Sequence, residues 1–291
     1  MAYFAFMKKA LFKTAISNSL AHASMHYENF PVASVLLPKR LREPIALIYS
    51  FARQADDFAD EGDISAEQRL ALLDGFKAEL DLIQAYIQPK TDFFSALHIM
   101  MKAQNLPLQP FYDLLDAFSQ DVLKSRYSNF GEIIDYSRRS ANPVGRLLLH
   151  LYGESTPKNM GYSDAICSAL QIINFLQDIG IDAKKDRIYM PLDELTRFKI
   201  TETDIFNAHY DFKFKLFMAF QIERARKLLQ SGAPLGLILK GRIGLEMRLI
   251  IAGGERLLAK LHDAEGDIFN KRPMLSKLDY LKMLKKALLK K

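Results

Sequence analysis

The stretch Gln171-Ile-Ile-Asn-Phe-Leu-Gln-Asp-Ile-Gly-Ile-Asp182 is apolar almost throughout, yet Gln171, Asn174, Asp178 and Asp182 recur in it at i, i+3, i+7 and i+11. On an α-helix those offsets fall on one face. Leu170, Ile172, Ile173, Phe175, Leu176, Ile179 and Ile181 take the rest of the circumference. A surface helix would carry a broader polar arc, so the pattern predicts a helix enclosed by others with one narrow polar stripe. A second stripe lies in Tyr49-Ser-Phe-Ala-Arg-Gln-Ala-Asp-Asp-Phe-Ala-Asp-Glu61. There Tyr49, Arg53, Asp56 and Asp60 stand at i, i+4, i+7 and i+11, with Asp57 and Glu61 beside them.

The rest of the 291 residues supports a helical bundle. Only four valines occur (Val32, Val35, Val122, Val144), whereas Leu, Ala, Lys, Phe and Ile abound, and strands draw heavily on Val and Thr. Helical periods predict helices near 40–61, 66–87, 92–104, 110–125, 130–152, 163–183, 211–230 and 241–262, with shorter ones at both ends. Ser65 with Gln68 reads as a capping box, and Thr201 with Asp204 as a similar pair. Pro107 and Pro110 break the chain before the fourth helix, and Gly153 with Pro157 ends the fifth. No low-complexity linker or internal repeat marks a boundary. The expectation is one domain over 1–291, its core at about 20–265 and a basic amphipathic tail at about 275–291.

The stripes carry a chemical implication. Like charges at i, i+4 destabilise a helix by a few tenths of a kcal/mol, and burying them costs several kcal/mol more per ion. Such clusters suit a surface, or a core in which a cation neutralises them. The first stripe alone reads equally as a solvated acidic helix end; the pair of stripes does not. Carboxylates and an amide are oxygen-only ligands, which select Mg²⁺ over zinc or copper. Mg²⁺ binds through a few carboxylates plus substrate phosphate oxygens. Two stripes facing a shared helical cavity would therefore grip a diphosphate, with Arg53 and the run Lys184-Lys185-Asp186-Arg187 supplying further cations.

Other chemistries find little support. Cys167 is the only cysteine, so no intramolecular disulfide or Cys-based zinc site is possible, and its apolar setting predicts a core thiol. The histidines are scattered, no Glu-x-x-His pair exists, and no nucleophile-elbow or dinucleotide glycine pattern occurs. No nicotinamide cofactor is expected. Phe212–Phe220 reads as core or cavity lining, and Arg242 and Arg248 as surface ion-pair partners first and phosphate contacts second. No apolar run reaches the length of a membrane span, and Lys8, Lys9 and Lys13 are misplaced for a signal peptide, so a cytoplasmic protein is expected.

Net charge is +6, and Lys277–Lys291 contributes six lysines against one aspartate. Leu281, Leu284 and Leu288 fall at i, i+3 and i+7 within it. A helix there would have an apolar and a basic face, fit either for an anionic membrane surface or for packing on the domain with a solvated outer side. Elsewhere bases alternate with acids and no recognition module is visible, which argues against nucleic acid.

Asp56-Asp-Phe-Ala-Asp60 and Asp178-Ile-Gly-Ile-Asp182, the latter followed by Asp186-Arg-Ile-Tyr189, resemble the paired aspartate motifs of the squalene/phytoene synthase family. Ile48-Tyr49 with Arg53, and Leu170-Gln171-Ile-Ile-Asn174, fit the same pattern. Within the family the chain is most similar to the bacterial branch that forms hydroxysqualene for hopanoids. The segments that carry this are His26-Tyr-Glu-Asn-Phe-Pro-Val-Ala-Ser34, Ala141-Asn-Pro-Val-Gly-Arg146 and the closing Arg272-Pro-Met-Leu-Ser-Lys277.

The resemblance implies a single-domain, all-α isoprenoid-synthase bundle with a central active-site cavity. It implies about two to three Mg²⁺ ions on Asp56, Asp60, Asn174, Asp178 and Asp182. Tyr49, Arg53, Gln171, Gln177, Lys185, Arg187 and Tyr189 would serve the diphosphate end, and His26 and Phe30 the cavity mouth. Tyr136 would stand near the reacting carbons, and Tyr136, Asn142 and Gln171 would orient an attacking water.

Three departures separate the chain from enzymes that condense two prenyl diphosphates. Gln177 stands where carotenoid-type synthases have arginine, Asn142-Pro143 replaces a Gly-containing turn, and a late tyrosine is replaced near Ile250. The expected reaction is Mg²⁺-dependent ionisation of presqualene diphosphate with water capture. A presqualene diphosphate synthase would act upstream and a flavin-dependent reductase downstream. The alternatives are a squalene or phytoene synthase proper, and a non-catalytic relative acting in assembly; such relatives usually lose motif aspartates, and here both motifs are complete.

Overall fold

The computed structural model describes residues 38–289, which form two compact units. The described part of the first comprises residues 38–123 and Arg146–Ser155; the second comprises Lys124–Gly145 and the chain from Thr156 onward.

In the first unit, helices α1 (Lys39–Asp60), α2 (Ala66–Gln84), α3 (Asp92–Gln104) and α4 (Gln109–Leu123) enclose a phenylalanine core. Phe51 meets Phe111 edge-on at 5.0 Å between ring centroids, and Phe76 meets Phe94 at 4.9 Å. This arrangement pairs positive ring edges with negative faces. Leu41, Ile45, Ile48, Phe51, Ala55 and Ala59 bury one side of α1. The side bearing Tyr49, Arg53, Asp56 and Asp60 stays partly open. The Ser65–Gln68 capping box opens α2 as expected.

In the second unit the long helix α7 (Pro157–Ala183) is the central element. It starts six residues earlier than its apolar period predicts, because Thr156 caps the Asn159 amide and Pro157 takes the first helical position rather than breaking the chain. The expected helix over 130–152 is two helices, α5 (Phe130–Ser140) and α6 (Asn142–Tyr152). Pro143, in the first turn of α6, lacks the N–H that a continuous helix would need there. Gly145 lets α6 approach α7: a Cβ at this position would lie 2.3 Å from Ser163 Oγ and 2.6 Å from Cys167 Sγ. Cys167 itself is only partly buried.

A two-stranded parallel pair, unforeseen from the sequence, joins β1 (Arg126–Tyr127) to β2 (Ile188–Pro191). Short helices α8 (Leu192–Arg197) and α9 (Glu202–Phe206) follow, the latter opened by the expected Thr201–Asp204 box. Then come α10 (Phe212–Gly232), α11 (Leu235–Ile238), α12 (Gly241–Asp263) and α13 (Lys277–Leu288). Phe214, Phe217 and Met218 of α10 are buried, as core lining requires, whereas Phe212 at its start is exposed and lines no core. Arg248 is no surface ion-pair partner: its Nε donates to the Ala287 carbonyl at 2.7 Å and an Nη to the Gly236 carbonyl at 2.8 Å, tying α12 to α13 and α11.

Candidate active site

The first stripe is an acidic cluster folded around one guanidinium. Arg53 lies 3.3 Å from Asp56, 2.6 Å from Asp57 and 3.0 Å from Glu61. Burial lowers the pKa of its guanidinium, but Asp56, Asp57, Glu61 and Tyr49 outweigh this and raise it. Asp56 is pushed up to about 7 by burial, then by Asp60, with Arg53 opposing and Asp121 and Asp57 adding. Its side chain still keeps 40% of its surface open, so an ion from solvent can reach it. Asp121, near the end of α4, was not among the residues singled out from the sequence. It stands in an ordinary amphipathic helix, and only the packing of α4 on α1 brings it to Asp56.

The second stripe lies on α7, with Gln171, Asn174, Asp178 and Asp182 all partly exposed among buried Ile172, Ile173, Phe175, Leu176 and Ile179. Asp178 is held by Arg272, whose Nε and an Nη reach the same carboxylate oxygen at 2.8 and 2.6 Å. The main-chain carbonyl of Asp182 closes the helix by accepting from the amides of Lys185 and Arg187. Asp186 takes a left-handed φ of 56° in this turn, and its carboxylate pairs with Arg126 at 2.7 Å. Lys184 and Lys185 are left exposed and Arg187 half-buried.

Beside α7 in the same unit stands a ring cluster. Phe175 and Tyr189 stack at 4.1 Å with planes 7° apart. Tyr136 lies 5.8 Å from each of them, and Tyr127 stacks on Tyr189 at 5.5 Å. The β1–β2 pair positions two of these rings. Tyr136 therefore sits among aromatic faces, and Tyr189 is a buried ring in the same cluster.

Two residues expected to serve substrate are committed elsewhere. Asn142 is buried and its Oδ1 accepts from Ser168 Oγ at 2.9 Å, joining α6 to α7. Gln177 is 2% exposed and its Nε2 donates to the Pro273 carbonyl at 2.7 Å. Both side chains therefore act as tethers within the fold. His26 and Phe30 lie outside the described residues.

The donor chemistry of each stripe fits Mg²⁺: oxygen ligands one or two helical turns apart, and in the first stripe a crowded carboxyl that a cation would relieve. Among the described residues no three Asp, Glu, His or Cys side chains converge closely enough to hold an ion unaided.

The squalene/phytoene synthase profile matches residues 23–279. A hydroxysqualene synthase of Rhodopseudomonas palustris is 38% identical, over 80% of this chain and 79% of its own. One from Sinorhizobium fredii is 34% identical, over 89% and 87%. A 15-cis-phytoene synthase of Synechococcus elongatus is 32% identical, over 74% and 77%. Among solved structures, squalene synthase HpnC from Alicyclobacillus acidocaldarius superposes with a TM-score of 0.81 at 33% identity, covering 87% of this chain and 95% of that one.

Proposed function

The chain belongs to the squalene/phytoene synthase family, and from that premise we propose that it converts presqualene diphosphate and water into hydroxysqualene and diphosphate. It is an all-α enzyme of prenyl diphosphates. The observation that carries the finer reading is its likeness to several hydroxysqualene synthases over three quarters or more of its length, at 34–38% identity.

In the proposed reaction Asp56 and Asp60, with Asn174, Asp178 and Asp182, would hold Mg²⁺. Bound there, Mg²⁺ neutralises charge on the departing diphosphate, a Lewis-acid role. Arg53 and Arg272 act first as counter-ions of Asp56 and Asp178. Both guanidiniums, together with Gln171, Lys185 and Arg187, would pair with the phosphate oxygens. The carbon–oxygen bond breaks and diphosphate leaves with the electron pair. The faces of Tyr136, Phe175 and Tyr189 offer quadrupole stabilisation to the rearranging cation. A water oxygen then bonds to the allylic carbon and loses a proton to solvent. Tyr49, Tyr136 and Gln171 are the candidates for orienting it; Asn142 is the weaker one, its Oδ1 already held by Ser168.

The likeness to phytoene synthases favours one other reading, condensation of two prenyl diphosphates. Purified protein with Mg²⁺, given farnesyl diphosphate or presqualene diphosphate separately, distinguishes them. Hydroxysqualene from presqualene diphosphate alone supports the proposal; a condensation product from farnesyl diphosphate alone overturns it. Asp178→Asn should abolish Mg²⁺-dependent diphosphate release while helix content is retained. The substrate requires a preceding condensation of two farnesyl units, and the allylic alcohol suits a following flavin-dependent reduction.

A further inference from the structure

Helix α13 is fixed to the second unit by a narrow strip of side chains. Asp279, Met283 and Ala287, at i, i+4 and i+8, are 2%, 5% and 2% exposed. Arg256 and Lys260 reach Asp279 at 2.6 and 2.7 Å, Ser276 donates to it, and Lys286 pairs with Glu255. A terminal helix that merely packed on its domain would turn leucines inward and lysines outward. Here the inward strip is an ion-paired aspartate, a methionine and an alanine, and the leucines point out. Leu278, Leu281 and Leu288 are 69%, 65% and 60% exposed, and Leu284 and Leu289 are also open. Lys277, Lys282 and Lys285 are exposed among them. Between this helix and α12 lies a groove of about 200 Å³ of mixed lining, in which Leu237, Ile251, Ala252 and Ala287 stand beside Arg248, Glu255 and Lys286.

We propose that the outer face of α13 docks on an anionic lipid bilayer, lying in the interface with its leucines among the acyl chains and its lysines at the headgroups. The charge pattern selects this occupant: interleaved leucines and lysines fit a surface that is apolar within and negative at its rim. No helix among the described residues is long and apolar enough to cross a membrane. The face is fixed before contact, so docking does not require the helix to fold at the membrane. This inference stands independently of the reaction proposed above.

Co-sedimentation of the full chain with phosphatidylglycerol–phosphatidylcholine vesicles tests it. Binding should be strong at low salt and weak to pure phosphatidylcholine. It should fall steeply by about 0.5 M salt, where charges are screened beyond a few ångström. Leu281→Asp with Leu288→Asp should lower binding about tenfold or more, with unchanged circular dichroism and melting temperature, since neither side chain is packed. Lys282→Glu with Lys285→Glu should abolish the preference for anionic vesicles. Absence of binding to anionic vesicles, or binding that these variants leave intact, overturns the proposal. So does a concentration-dependent dimer that the leucine variant dissolves without any vesicle binding, which would assign the face to a second copy.

Discussion

Arg272 and Asp178 stand 94 positions apart in the chain, yet two nitrogens of the guanidinium converge on a single oxygen of the carboxylate. The pair joins the segment after α12 to the polar stripe of α7. On α1, Arg53 pairs with Asp56 one turn away on its own helix. Each stripe thus holds an arginine on one of its aspartates, and in the proposed reaction that arginine would also serve the diphosphate.

Arg272→Gln separates these two roles. Both members of the pair are partly exposed, so loss of the ion pair should change stability by only about 0–1 kcal/mol. Loss of a bidentate phosphate contact should lower kcat/KM about 10²-fold. Steady-state kinetics with a thermal melt measures both. A large drop in melting temperature with kcat/KM near wild type would make Arg272 a structural clamp only.

Mg²⁺ binding to the first stripe should be linked to protons. The Asp56 carboxyl is pushed up to about 7 by burial and by Asp60 and Asp121, so below that pH a metal must displace a proton. Apparent Mg²⁺ affinity should therefore fall up to about tenfold per pH unit below 7 and level off above it. In Asp121→Asn the break should move to lower pH, because one like charge is removed. Calorimetric titration from pH 5.5 to 8.5 measures the break, and an affinity flat across that range would contradict the assignment of Asp56 as a ligand.

Glu246 on α12 is half-buried, its Oε2 has no hydrogen-bond partner, and burial pushes its carboxyl up to about 7. The folded state keeps the proton above the ordinary glutamate range near 4.5, where the unfolded chain has lost it. Stability from this group is therefore present at acid pH, falls as pH rises from about 4.5 to 7, and is constant above. After discounting for remaining exposure, Glu246→Gln should be about 1–2 kcal/mol more stable than wild type at pH 8, with the gain gone near pH 4.5. Urea titrations at both pH values decide it; a variant less stable at pH 8 would mean that the ionised carboxylate has a partner.

The α7 stripe was legible because its other sides are almost wholly apolar, so periodicity alone separated Gln171, Asn174, Asp178 and Asp182 from their neighbours. The α1 stripe was legible as spacing, but not its internal pairing: Arg53 reads as a phosphate ligand and is found among Asp56, Asp57 and Glu61. The break at Asn142 was signalled by Pro143, but the apolar period running on through it masked that signal. What Asn142 and Gln177 do depends on Ser168 and the Pro273 carbonyl, contacts that no local pattern encodes. The two short strands carry too few residues for a period. In the tail, the leucine spacing was visible, but its outward direction is set by Asp279 meeting Arg256 and Lys260.

The central claim, ionisation at carbon followed by capture with water, is tested most directly by turnover of presqualene diphosphate with Mg²⁺ in H₂¹⁸O and mass analysis of both products. The account expects one ¹⁸O atom in the hydroxyl of hydroxysqualene and none in the diphosphate, since the carbon–oxygen bond breaks. Label in the phosphate product with an unlabelled alcohol would mean attack at phosphorus and would contradict it.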